Sequence, residues 1–99
     1  MTSSDDKELN NVIDELIFVL ECIGEKNWSS SLRNLQSSYN NAGSLYERKR
    51  VLSKIIQLYG GMGSFADLTL YRDGRPLIEA NDILDRLQSR LFDIAVRLR

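Results

Sequence analysis

A chain of 99 residues with 42% apolar and 27% charged side chains and a net charge of −1 describes one domain built around one core. It has no histidine and a single cysteine, Cys22. That excludes the usual proton shuttle, a His-paired nucleophile, a histidine metal site and an internal disulfide.

The apolar residues come as periodic singles and pairs, never as the run of about 18 that spans a bilayer. The polar, acidic start (Thr2, Ser3, Ser4, Asp5, Asp6) is the opposite of a signal peptide. A lone cysteine fits a reducing compartment, so the expected location is the cytoplasm. Asn27-Trp28-Ser29 matches a glycosylation sequon, which carries no weight without a secretion signal.

In chain order, Leu9, Val12, Ile13, Leu16, Ile17, Leu20 and Ile23 recur at spacings of three and four. This predicts an amphipathic helix from about Ser4 to Ile23. Ser4 or Asp5 suits its cap and Gly24 its stop. Asn27 is expected to cap a second helix carrying Trp28, Leu32, Leu35 and Tyr39 on a narrow stripe. That helix is rich in Ser and Asn, so its persistence depends on packing.

Asn40, Asn41 and Gly43 end the second helix. Ser44 and Glu47 then form a capping box for a third helix with Leu45, Leu52, Ile55, Ile56 and Tyr59 on one face. Three of the six glycines follow within four residues, at Gly60, Gly61 and Gly63. Asp67 to Tyr71 alternates polar and apolar, Asp73-Gly74 reads as a turn, and Pro76-Leu77-Ile78 as a return strand. Asn81 is expected to cap a last helix with Leu84, Leu87, Leu91, Ile94 and Leu98 inward. The predicted architecture is mainly α: a single four-helix, bundle-like domain over residues 1–99, with a short hairpin insertion at about 66–78 before the last helix.

The glycine segment admits two readings. Its amides could cradle an anion, but they follow a helix, at the negative end of its dipole, and no P-loop lysine follows. The favoured reading is a structural loop of Gly60, Gly61, Gly63, Ser64 and Asp67. It ends the helix, lets Met62 and Phe65 tuck into the core, and uses the Asp67 carboxylate to bond loop amides.

Gly60 to Leu68, GGMGSFADL, resembles the signature of a family of small uncharacterised bacterial helical proteins. In that family Gly-Gly-Met-Gly-Ser-Phe-Asn-Asp-Leu follows a helix. A tryptophan opens an earlier helix, as Trp28 would, and an asparagine precedes the final one, as Asn81 would. Ala66 replaces the signature asparagine here, so any role of that amide is lost. The resemblance implies a bacterial cytosolic protein and carries no activity with it.

Charge is unevenly spread. Residues 1–27 hold seven acids and two bases, and residues 28–99 hold seven acids and eleven bases. Either the acidic first helix pairs with later basic helices of the same molecule, which is the favoured reading, or it faces a basic partner. Phe18 lies nearly opposite the apolar arc of that helix, with Asp14, Glu15, Glu21 and Glu25 within reach. Either this aromatic ring in an acidic stripe is a protein-binding anchor, or the β insertion or another helix covers it. Cys22, in this acidic setting, is expected to be a partly buried, unreactive small residue. Phe92 and Val96 fall off the main face of the last helix and suggest a second patch.

The expectation is a non-enzymatic protein-binding module without metal or cofactor, most concretely an immunity protein that blocks a cognate, basic toxin domain. The alternative is a homodimeric structural or regulatory protein. A nucleic-acid reading through Arg50, Lys54, Arg86, Arg90 and Arg97 ranks below both, because the bases scatter, no aromatic platform accompanies them, and the chain is acidic.

Overall fold

A computed structural model describes residues 4–60 and 64–99. Its elements are α1 (Ser4–Ile23), α2 (Lys26–Asn40), α3 (Leu45–Gln57), a 3₁₀ turn (Phe65–Asp67), β1 (Tyr71–Arg72), β2 (Arg75–Pro76) and α4 (Ile78–Leu98). Each helix packs on its neighbour in sequence, and α4 closes back on α1. This is the arrangement that short connections favour. The four helices and small hairpin confirm the mainly α bundle.

The predicted stripe of α1 becomes its buried face, with Leu9, Val12, Ile13, Leu16, Ile17 and Leu20 in the core. At its end Gly24 adopts φ +86°. Its N–H donates to Glu21 O at 3.2 Å and the N–H of Glu25 to Leu20 O at 2.9 Å. This is a Schellman closure, which needs a left-handed residue. The chain reverses so tightly that α2 begins at Lys26, with Glu25 as its N-cap. Asn27 is therefore inside the first turn and caps nothing, contrary to its predicted role.

In α2, Leu32 and Tyr39 are buried, while Trp28 and Leu35 pack partly against the core. Ser44 caps α3 as expected, its Oγ accepting from Glu47 N–H at 3.2 Å. The Glu47 carboxylate reaches one residue further back and accepts from Gly43 N–H at 2.8 Å. Leu52 and Ile55 are buried as predicted, and Val51 joins them. Leu45 shares the stripe by spacing but is 67% exposed, because no described element covers the first turn of α3.

Gly61, Met62 and Gly63 lie outside the described residues, so the glycine loop is followed only at its edges. Gly60 N–H donates to Gln57 O, and Phe65 N–H donates back to Leu58 O at 2.8 Å. Phe65 is completely buried, as expected. Its ring stands 5.0 Å from that of Trp28 and 5.7 Å from that of Tyr59. Tyr59 in turn meets Phe92 at 5.0 Å, so Phe92 is a packed, half-buried ring instead of part of an open patch.

The extended segment is shorter than predicted. Residues 65–67 form a 3₁₀ turn, and the strands are two residues each, paired Tyr71 with Pro76 and Arg72 with Arg75. Asp73 (φ 54°) and Gly74 (φ 77°) both take positive φ, the type I′ geometry that an Asp-Gly pair favours. Ile78, expected in the return strand, already belongs to α4, whose N-cap is Leu77. Asn81 therefore lies inside the helix and is not its cap. Its amide binds Leu70 at both backbone atoms: Oδ1 accepts from Leu70 N–H at 2.7 Å, and Nδ2 donates to Leu70 O at 3.0 Å. That clasp holds the hairpin stem on α4.

Candidate functional site

The acidic face of α1 is largely turned inward electrostatically. Asp5 and Glu8 pair with Arg97 at 3.0 and 3.1 Å, and Glu8 also with Arg90 at 3.4 Å. Glu21 pairs with Arg33 at 2.7 Å. Asp6, buried, pairs with Arg48 at 3.2 Å and accepts a hydrogen bond from the Tyr39 hydroxyl. Arg48 also lies over the Tyr39 ring at 5.6 Å. Burial and the hydrogen bond to Asp6 push the Tyr39 hydroxyl up to about 12. Internal pairing of the acidic helix with later bases is thus what the fold uses.

Phe18 remains outside this network, 69% exposed on α1. Antiparallel α4 brings Ile83, 40% exposed, to its side. Together with Val19 and Leu87 they line a groove of about 630 Å³. Its rims carry opposite charge: Asp14 and Glu15 on the α1 side, Arg86 and Arg90 on the α4 side. A second groove, of about 560 Å³, opens on the other flank of Phe18. There the hairpin and the start of α4 contribute Pro76, Leu77 and Ile78, with Ile78 73% exposed. Phe18 is therefore a ridge between two apolar hollows. An exposed apolar patch with a charged rim is the usual form of an interaction site.

The sequence-predicted site residues divide. Phe18, Asp14 and Glu15 share the first groove. Asp14 also accepts from Gln36 Nε2 at 2.8 Å. Glu21 is turned towards Arg33 on α2, and Glu25 is half-buried at the α1–α2 turn without a side-chain cap bond. Cys22 is exposed, not partly buried, and lines the second groove. Packing on α1's opposite side satisfies the core, so nothing draws the thiol in.

Of the loop residues, Gly60 and Asp67 are exposed, and Ser64 O accepts from Asp67 N–H at 3.0 Å. Gly61 and Gly63 are beyond description. Ile78, Ile83 and Pro76 were missed as site residues, and Arg86 was weighed only for nucleic acid. The available signal was the position of Ile78 and Ile83 beside the inward stripe of Leu84, Leu87 and Leu91, leaving them no core to enter.

Among the bases weighed for nucleic acid, Arg90 and Arg97 are committed to Glu8 and Asp5. Lys49, Arg50 and Arg99 line a separate cleft with exposed Tyr46 and Val96, a grouping that sequence distance conceals. Among the described residues no cluster of three acidic or cysteine side chains is arranged to hold a metal. No described helix is long and apolar enough to cross a membrane.

A family model described as a domain of unknown function, DUF6966, matches residues 22–78. The chain belongs to the DUF6966 family. The matched segment runs from the end of α1 through α2, α3 and the hairpin to the first residue of α4. The family segment thus includes the α1–α2 turn, the Phe65 cluster and the hairpin side of the second groove. Phe18 and Ile83 lie just outside it. No curated protein and no solved structure matches the chain.

Proposed function

We propose that this chain is a non-enzymatic protein-binding module and that the Phe18 face is its contact surface. The observation that carries this reading is Phe18 itself: a large ring, 69% exposed, between two apolar grooves. Keeping such a ring in water forgoes burial worth about 1.5–3 kcal/mol, a cost that a binding anchor recovers on contact.

The concrete form is a bacterial, cytoplasmic immunity-type protein that blocks a cognate toxin domain by occluding its cleft. The apolar ridge supplies affinity, and acids at its edge, Asp14 and Glu15, steer a basic partner. Such a role asks for no proton transfer and no metal, in keeping with a chain that has no histidine.

The test is titration calorimetry against the toxin domain encoded beside this chain's gene. Phe18→Ala should weaken binding by about tenfold or more while leaving the unfolding midpoint in place. Charge reversal at Glu15, on the groove's rim, should weaken it further. Full affinity in both variants removes α1 from the interface, and absence of any such neighbour or of binding removes the toxin reading.

A further inference from the structure

The Phe18 face has the features of a surface that fits itself. An isologous interface needs one patch to present both a projection and the hollow that receives it. Phe18 and Ile78 project, and the grooves of about 630 and 560 Å³ lie directly beside them. The charges decide which symmetric pairing is favourable. Glu15 and Arg86 stand on opposite rims of the same groove. Neither makes an ion pair among the described residues, whereas the neighbouring Arg90 is held by Glu8 and Asp14 by Gln36.

Two face-to-face arrangements have a two-fold axis in the interface. An axis across the helices lays α1 on α1 and sets the acidic rim, Asp14 and Glu15, on the same side as its copy and the basic rim, Arg86 and Arg90, likewise. An axis along the helices lays each α1 on the α4 of the other copy. Glu15 then faces Arg86 of the second copy at the same level, twice, and Phe18 faces the hollow beside Ile83. Opposite rim charges attract only in this second arrangement.

We infer that in the free protein the Phe18 face closes on a second copy of the chain, through a two-fold axis parallel to α1 and α4. Self-association therefore competes with capture of a foreign protein. This regulation rests on the Phe18 face being the binding surface proposed above. The occupant is fixed by the rim: its opposite signs on opposite sides of an apolar hollow are met in full by the same rim rotated.

Sedimentation equilibrium of the full chain over the micromolar range tests it, with circular dichroism confirming that each variant is folded. The wild type should reach a dimer. Phe18→Glu should raise the dissociation constant by at least about tenfold. Glu15→Arg and Arg86→Glu should each weaken the dimer, and the double variant should restore it, because the pair is reformed with its signs exchanged.

A monomer at every concentration overturns the inference, as does a dimer indifferent to Phe18→Glu or a double variant no better than the singles. A monomeric wild type that still binds the toxin domain overturns self-pairing alone. A dimer rescued by charge exchange in a chain that binds no foreign protein supports self-pairing and ends the toxin reading.

Discussion

The side-chain amide of Asn81 takes the place of a neighbouring strand. It accepts from Leu70 N–H at 2.7 Å and donates to Leu70 O at 3.0 Å, so the N–H of a buried residue finds a partner off the hairpin, and its O shares Asn81 with Leu77 N–H. Asn81→Ala should cost about 1–3 kcal/mol in urea unfolding and speed hydrogen exchange at the Leu70 amide. Asn81→Asp should recover only part of this, because a carboxylate accepts from the N–H but repels the carbonyl. Exchange at Leu70 as slow as in the wild type would remove the clasp.

Tyr39 offers a second residue-scale test. Its folded-state pKa is raised from 10.0 to about 12, chiefly by burial and then by Asp6. Tyr59 is raised as well, by burial and nearby Asp93. A group that holds its proton more tightly when folded stabilises the fold fully below the unfolded value. That contribution is lost as pH rises through the folded one. Stability should therefore fall between pH 10 and about 12, and Tyr39→Phe should shallow that fall. Denaturant midpoints measured across the window read the effect directly.

At the scale of elements, helix ends follow from how the chain leaves the preceding turn. Gly24 at φ +86° reverses the chain within two residues, and α2 starts before Asn27 can cap it. Leu77 lies close enough to donate its N–H to Leu70 O at 2.9 Å, and α4 starts there, before Asn81. The α2–α3 connection is looser, and there the expected cap forms at Ser44. Ser44→Ala should destabilise the protein by about 1 kcal/mol and fray the first turn of α3, seen as faster exchange at Glu47 N–H. A change below a few tenths of a kcal/mol would mean that the Glu47 carboxylate on Gly43 suffices alone.

For the whole molecule, burial outweighs the ion pairs that tie α1 to its neighbours. Arg97 bridges Asp5 and Glu8, but its side chain is 52% exposed, and such pairs are worth at most about 1 kcal/mol. Leu91 is fully buried at the α1–α4 seam, and its truncation leaves a cavity. Leu91→Ala should cost about 2–5 kcal/mol, and Arg97→Gln less than about 1 kcal/mol, with thermal melts ranking the two. Equal losses would make charge, not the core, the main tie between α1 and α4. The same pairs join acids of the chain's acidic start to bases from later in it, and they include neither Glu15 nor Arg86.

Helix count, the stripe of α1, a turn at Asp73-Gly74 and the position of Phe18 opposite that stripe were legible in the chain; whether Phe18 would be covered was not. Each of the legible features depends on residues within one or two turns of each other, where spacing and backbone preference act without outside help. The roles of Asn81, Gln88 and Arg48 were not. Gln88 holds Phe65 O at 2.6 Å across 23 positions, and Arg48 reaches Asp6 across 42. Nor did spacing along α1 reveal that Ile83, Ile78 and Arg86 would stand beside Phe18 to make a ridge with hollows and a two-signed rim. Those neighbours exist only because α4 packs back along α1, a long-range placement governed by the burial of both helices' apolar faces and not by the local preferences of either.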